Sequence, residues 1–167
     1  NKSKEGNNMD LKELYQNVEE NLGKEIELKG WIRNHRKQKE FGFIDFSDGT
    51  CFKHIQLVYD NKLENFEEIQ KYHNGSAITA GGLLIKSEGA GQDYEVKVTK
   101  IVLEGDCPED YPMQPKRHSS EFLREQAYLR PRTNLFQAVF RIRSVTAMAI
   151  HTYFQERGYV YFHAPLF

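Results

Sequence analysis

The chain has 167 residues, 28 % of them charged and 39 % apolar, with a formal net charge of −1. That length holds one domain or one and a half, and the balanced charge excludes a protein that grips nucleic acid over its whole surface, so any electrostatic footprint must be local. Two cysteines, Cys51 and Cys107, are too few for a disulfide framework and stand in no metal-ligand spacing; both read as reduced, in a cytoplasmic protein, and no apolar run approaches the ~20 residues of a membrane span.

The opening NKSKEGNN is polar and lacks the apolar stretch of a signal peptide. Asp10 can cap a helix, with Glu13 as its capping-box partner. Leu11, Leu14, Tyr15, Val18 and Leu22 lie on one face, and Gly23 stops the helix. A first strand spans residues 25–38. Ile26, Leu28, Gly30 and Ile32 alternate as its inner row, which leaves Trp31 and Arg33 outside. A second strand, residues 41–47, puts Ile44 and Phe46 in and Phe43 and Asp45 out. Ser47-Asp48-Gly49 is a hairpin signal. A third strand, residues 51–59, puts Ile55, Leu57 and Tyr59 in and His54, Gln56 and Val58 out. A helix then carries Leu63, Phe66, Ile69 and Tyr72 and ends near Asn74-Gly75. The fourth strand, residues 76–86, holds Gly81-Gly82, the mark of a bend or bulge. Residues 87–92 form a flexible loop. The fifth strand, residues 93–103, turns Val96 and Val98 inward and Glu95 and Lys97 outward.

Three strands, a helix and two more strands is the order of an OB-fold barrel, whose second and third strands bind oligonucleotides. Phe43 and Gln56 fall on that face. An aromatic pointing out of a strand is what base stacking requires, because every base has a π-face. Cations cluster nearby in Lys29, Arg33, His35, Arg36, Lys37 and Lys39, and again in Lys116, Arg117, His118, Arg124, Arg130 and Arg132. The plainer readings are a solvated face for the charge runs, packing for Trp31, an ion pair with a first-strand cation for Glu95, and surface positions for His35 and His54.

Beyond Gly105 three prolines, Pro108, Pro112 and Pro115, mark a linker. Ser119 or Ser120 caps a short helix. Asn134 caps a long one, residues 135–157, stopped by Gly158. Val139, Ile142, Val145, Ala149 and Tyr153 form its apolar stripe, widened by Phe136, Phe140 and Ala147. Residues 159–163 read as a short strand closed by Pro165. The stripe is broader than the remaining chain can cover, which points to a second domain present only in part; the plainer reading folds the helix back on the barrel. The organisation is therefore a tail and helix (1–22), a barrel (23–104), a linker (105–118) and the start of another domain (119–167).

The segments GWIRNHR, FGFIDFSDGT and IQLVYD resemble the anticodon-binding domain of class II aminoacyl-tRNA synthetases of the aspartate, asparagine and lysine group. RHSSEFLREQAYLRPRTNLFQAVFRIRS is similar specifically to asparaginyl-tRNA synthetases, and FQERGYVYFHAPLF resembles motif 1 of class II enzymes, with Gly158 and Pro165 in the dimer motif. The resemblance implies a mainly β fold with helices: a five-strand OB-fold barrel followed by the first helices and strand of a catalytic α+β domain. It implies that Phe43 stacks on the central anticodon base, that Gln56 contacts anticodon bases, that Arg36 and Arg33 meet bases or phosphate, and that Glu95 is the fifth-strand carboxylate of the site. The partner it implies is tRNA with an asparagine anticodon, and the full enzyme would be a homodimer. That enzyme would use ATP and Mg²⁺ to make asparaginyl-adenylate and charge tRNA. Motifs 2 and 3, which carry that chemistry, are absent from this sequence. The chain is therefore expected to hold no catalytic residue, metal or cofactor, and to bind tRNA without ligase activity. An aspartyl- or lysyl-type enzyme and a non-catalytic OB-fold RNA-binding module stand as the alternatives.

Overall fold

The computed structural model describes residues 9–89 and 91–165. It divides into two units, one ending at Arg117 and one beginning at His118.

The first unit opens on α1 (Leu11–Gln16) and α2 (Val18–Asn21). Asp10 caps α1 by accepting from the Glu13 N–H at 2.7 Å, and Leu11 and Leu14 are fully buried. The single helix expected up to Leu22 is instead two short pieces. Asn17 leaves helical geometry at φ −125°. Its side-chain amide donates to the Glu13 carbonyl at 3.2 Å, and that of Asn21 donates to the Asn17 carbonyl at 2.9 Å. Such side-chain bonds compete with the backbone ladder.

Five strands follow: β1 (Glu25–Lys37), β2 (Phe41–Ser47), β3 (Ile55–Asp60), β4 (Ala77–Lys86) and β5 (Tyr94–Gly105). They close into a barrel in the order β1-β2-β3-β5-β4. Every pairing is antiparallel except β3 with β5. The inner row is the one that alternation predicts: Ile26, Leu28, Ile32, Ile44, Phe46, Ile55, Leu57, Tyr59, Val96 and Val98 are all buried. Gly42 is obligatory in this core, since a Cβ there would overlap the Tyr59 ring and hydroxyl. At Gly81/Gly82 the β4–β5 register slips, as the glycine pair predicts. A Cβ on Gly82 would run into the Lys97 carbonyl oxygen.

Two elements are shorter than expected. β3 begins at Ile55, not at residue 51, because Asp48 organises a wider connection: its Oδ1 accepts from the Thr50 N–H at 2.9 Å and its Oδ2 from the Leu11 N–H at 2.6 Å. The helix after β3 is reduced to α3 (Phe66–Ile69). Asp60 diverts the Lys62 N–H to its side chain at 3.0 Å, and turns replace helix on both sides.

The second unit holds α4 (Ser120–Glu125), a 3₁₀ turn at Arg130–Arg132 and α5 (Asn134–Gln155). Ser119 caps α4. Thr133, not Asn134, caps α5, its Oγ1 accepting from the Phe136 N–H at 3.3 Å. Gly158 follows α5 at φ +80°, a conformation glycine adopts without penalty. No residue of α5 is buried. Residues 159–163 do not form the expected strand; they and Pro165 are exposed, irregular backbone. A strand needs a ladder partner, and none pairs with this segment among the described residues.

Candidate nucleic-acid interface

β1 carries an irregularity between Ile32 and Asn34. Up to Ile32 the even-numbered residues face the core. Past Arg33, His35 pairs with core residue Ile44, so Arg36 turns outward opposite Phe43. One inserted residue is the signature of a β-bulge. On β3, Gln56 pairs with Asp45 of β2 on one side and with Glu95 of β5 on the other. Ladder register thus brings Arg36, Phe43, Gln56 and Glu95, drawn from four strands, onto one outer face.

Their side chains are linked. The Arg36 guanidinium lies over the Phe43 ring, 5.1 Å from its centroid. Its Nη2 donates to Gln56 Oε1 at 2.6 Å, and Gln56 Nε2 donates to Glu95 Oε2 at 3.3 Å. These bonds fix which way the Gln56 amide points. Phe41 meets Phe43 edge-on at 5.4 Å. Phe43, Gln56 and Glu95 are half-buried and Arg36 is exposed. The face therefore offers a π-surface, a cation, an amide and a carboxylate within one array, the groups that stack on a base and read its edge. Arg33 sits half-buried at the bulge.

Glu95 accepts from the Gln56 amide. Trp31 is more than half covered, keeping 45 % of its surface exposed. His35 leaves the cationic cluster. Its Nδ1–H donates to the Tyr72 carbonyl at 3.2 Å, since a carbonyl only accepts, and its Nε2 accepts from the Tyr59 hydroxyl at 2.6 Å. Burial pushes its pKa down to about 4, against a smaller opposing pull from the Tyr72 carbonyl. Burial pushes the Tyr59 hydroxyl up to about 12. His54 is half-buried and bonds Asp45 Oδ2 through Nδ1 at 3.0 Å.

Sequence reasoning missed the loop beside the array. Ser87 Oγ donates to Glu95 Oε2 at 2.9 Å, and Gln92 Nε2 reaches the same oxygen at 3.4 Å. Both residues line a cavity of about 590 Å³ between the ends of β4 and β5. Their signal was slight: a serine and a glutamine in a glycine-rich loop. Among the described residues no cluster of three or more His, Cys, Asp or Glu stands where it could hold a metal ion, and no helix is long and apolar enough to cross a membrane. Neither cysteine is in a disulfide; Cys107 is buried and Cys51 half-buried.

Residues 26–104 match the model of the tRNA anticodon family, described as an OB-fold nucleic acid binding domain. That match spans the barrel. Over 93 % of its length the chain is 54 % identical to an asparagine–tRNA ligase of Acetivibrio thermocellus and 50 % identical to one of Clostridium novyi. It spans about a third, 34 %, of the length of those curated relatives. Asparaginyl-tRNA synthetase of Pyrococcus horikoshii superposes with a TM-score of 0.75 at 25 % identity, over 87 % of this chain and 35 % of that one. A putative aspartyl-tRNA synthetase of Leishmania major superposes with a TM-score of 0.83 at 17 % identity, over 98 % of this chain and 35 % of that one, a likeness of fold alone.

Proposed function

We propose that the barrel reads the anticodon loop of asparagine tRNA, as part of a longer asparagine–tRNA ligase. The observation that carries this is the linked array of Arg36, Phe43, Gln56 and Glu95 on the outer face of an anticodon-family barrel. In this reading the central anticodon base stacks on Phe43, Gln56 and Glu95 meet base edges, and Arg36 meets a base or phosphate, with Arg33 beside it. Half-identity to asparagine–tRNA ligases favours asparagine over aspartate or lysine.

In the longer enzyme, asparagine would be activated with ATP and Mg²⁺ and transferred to the terminal ribose of tRNA in the cytoplasm. The chain alone is expected to give ATP–pyrophosphate exchange at background; exchange above it would place catalytic groups among these residues. The longer enzyme is proposed to be a homodimer built through α5, Gly158 and the segment ending at Pro165. The exposed side chains Ile142, Val145 and Met148 on α5 support that reading.

The direct test is fluorescence anisotropy of a labelled stem-loop carrying GUU, against one with a changed middle base, at stated low salt. The chain is expected to prefer GUU. Phe43→Ala is expected to weaken GUU binding by roughly 1–3 kcal/mol, the worth of one stacked base, and to erase the preference. Equal binding of both loops, unaffected by Phe43→Ala, would reduce the barrel to a non-specific module.

A further inference from the structure

We propose that Ser87 and Gln92 are positioning residues for base recognition: they hold Glu95 through one carboxylate oxygen so that the other is presented to the N–H edge of a base. The inference rests on the anticodon reading above and extends it to the loop joining β4 and β5.

Glu95 Oε2 receives three donors, Ser87 Oγ at 2.9 Å, Gln56 Nε2 at 3.3 Å and Gln92 Nε2 at 3.4 Å. A carboxylate oxygen has two lone pairs, so Oε2 is fully engaged. Among the described residues no donor reaches Oε1. The carboxylate is thus oriented before any ligand arrives, and its open acceptor lies in the same array as the Phe43 ring. A ligand with a π-face and an N–H donor on its edge, a nucleobase, suits that pair of groups. Orientation in advance spares the ligand the ordering cost.

The loop does not need these contacts in order to close. Its ends are tied by the Ser87 N–H donating to the Asp93 carbonyl at 3.0 Å. Gly91 has nothing within 4 Å of where a Cβ would sit. The Ser87 hydroxyl couples loop to site: it accepts from the Gly89 N–H at 3.2 Å and spends its one hydrogen on Glu95. Gln92 reaches the same oxygen from the other limb.

The test uses the 167-residue chain and the two stem-loops, GUU and changed middle base, with Ser87→Ala, Ser87→Thr and Gln92→Ala. Ser87→Ala is expected to cut the GUU preference about tenfold, the loss of one hydrogen bond to a charged group. Gln92→Ala, with the longer bond, is expected to cut it less. Ser87→Thr keeps the hydroxyl and restores the preference. Thermal midpoints of all three variants stay at the wild-type value. If Ser87→Ala and Gln92→Ala weaken both loops equally, the residues are mere loop scaffold and the inference is overturned. If both keep the full preference while Phe43→Ala loses it, the inference is overturned and the anticodon reading stands. If the wild type itself shows no preference, both readings fall together. Should Ser87→Ala not fold, Gln92→Ala decides by the same criteria.

Discussion

His35 lies behind the cationic edge of the barrel and carries no charge at neutral pH. Its ring is enclosed, its Nε2 accepts from the Tyr59 hydroxyl, and its pKa falls from the ordinary 6.5 to about 4. Protonating Nε2 would remove that acceptor. Between pH 6.5 and pH 4 the unfolded chain binds a proton that the folded chain refuses. Stability linked to His35 is therefore complete above pH 6.5 and drains away as the pH falls towards 4. Carboxylates titrate over the same interval, so the informative quantity is a difference. His35→Gln, which keeps a donor and an acceptor without titrating, is expected to lose less stability than the wild type when urea unfolding is compared at neutral and mildly acid pH. Parallel curves for the two proteins would mean that His35 ionises freely in the folded state.

At the scale of the element, the bulge in β1 decides which side chains reach the proposed RNA-binding face. Strict alternation cannot put both Arg33 and Arg36 outside, since they are three apart. The inserted residue at 33 resolves the conflict by changing the parity between the core row ending at Ile32 and the outer row holding Arg36. Deleting Arg33 should therefore do far more than replacing it. Without the insertion, either the Ile26–Ile32 row or Arg36 must change face. The deletion is expected to cost at least roughly 3 kcal/mol, the worth of one or two core side chains, and to abolish GUU preference. Arg33→Ala is expected to cost roughly 1 kcal/mol or less. Equal effects in a denaturant series would show that the register adapts. The barrel, its inner row and the outward positions of Phe43, Gln56 and Glu95 were legible in the sequence because period two survives along four strands. The bulge was not, because no glycine or proline marks it; the cations at 33 and 36 were its only trace. The starts of β3 and α5 were misread for another reason. Asp48 and Thr133 act through side-chain bonds to particular backbone groups, which neither periodicity nor propensity registers. Residues 159–163 have the composition of a strand, and a strand exists only where another one pairs with it.

Over the whole chain, the proposed recognition residues and the exposed apolar helix fall in different units. Arg36, Phe43, Gln56, Glu95, Ser87 and Gln92 all belong to the unit that ends at Arg117, and α5 to the one that begins at His118. α5 exposes Ile142, Val145, Met148 and Tyr153 by 67 %, 69 %, 63 % and 52 %. A run of this kind marks a surface that another surface covers, and the proposed homodimer assigns it to a second copy. Ile142 and Val145, three apart, lie on one side of the helix. Replacing both with glutamate sets two charges into the proposed contact and leaves the barrel's own residues unchanged. Sedimentation equilibrium is expected to show concentration-dependent association of the wild-type chain and a monomer for the double variant. Affinity for the GUU stem-loop should stay within about twofold, since substitutions that share no partners act independently. Association that survives both glutamates would move the contact off this stripe. A fall in RNA affinity that tracks the loss of association would mean that a second copy contributes to the site, and that the barrel array alone is not the whole of the recognition surface.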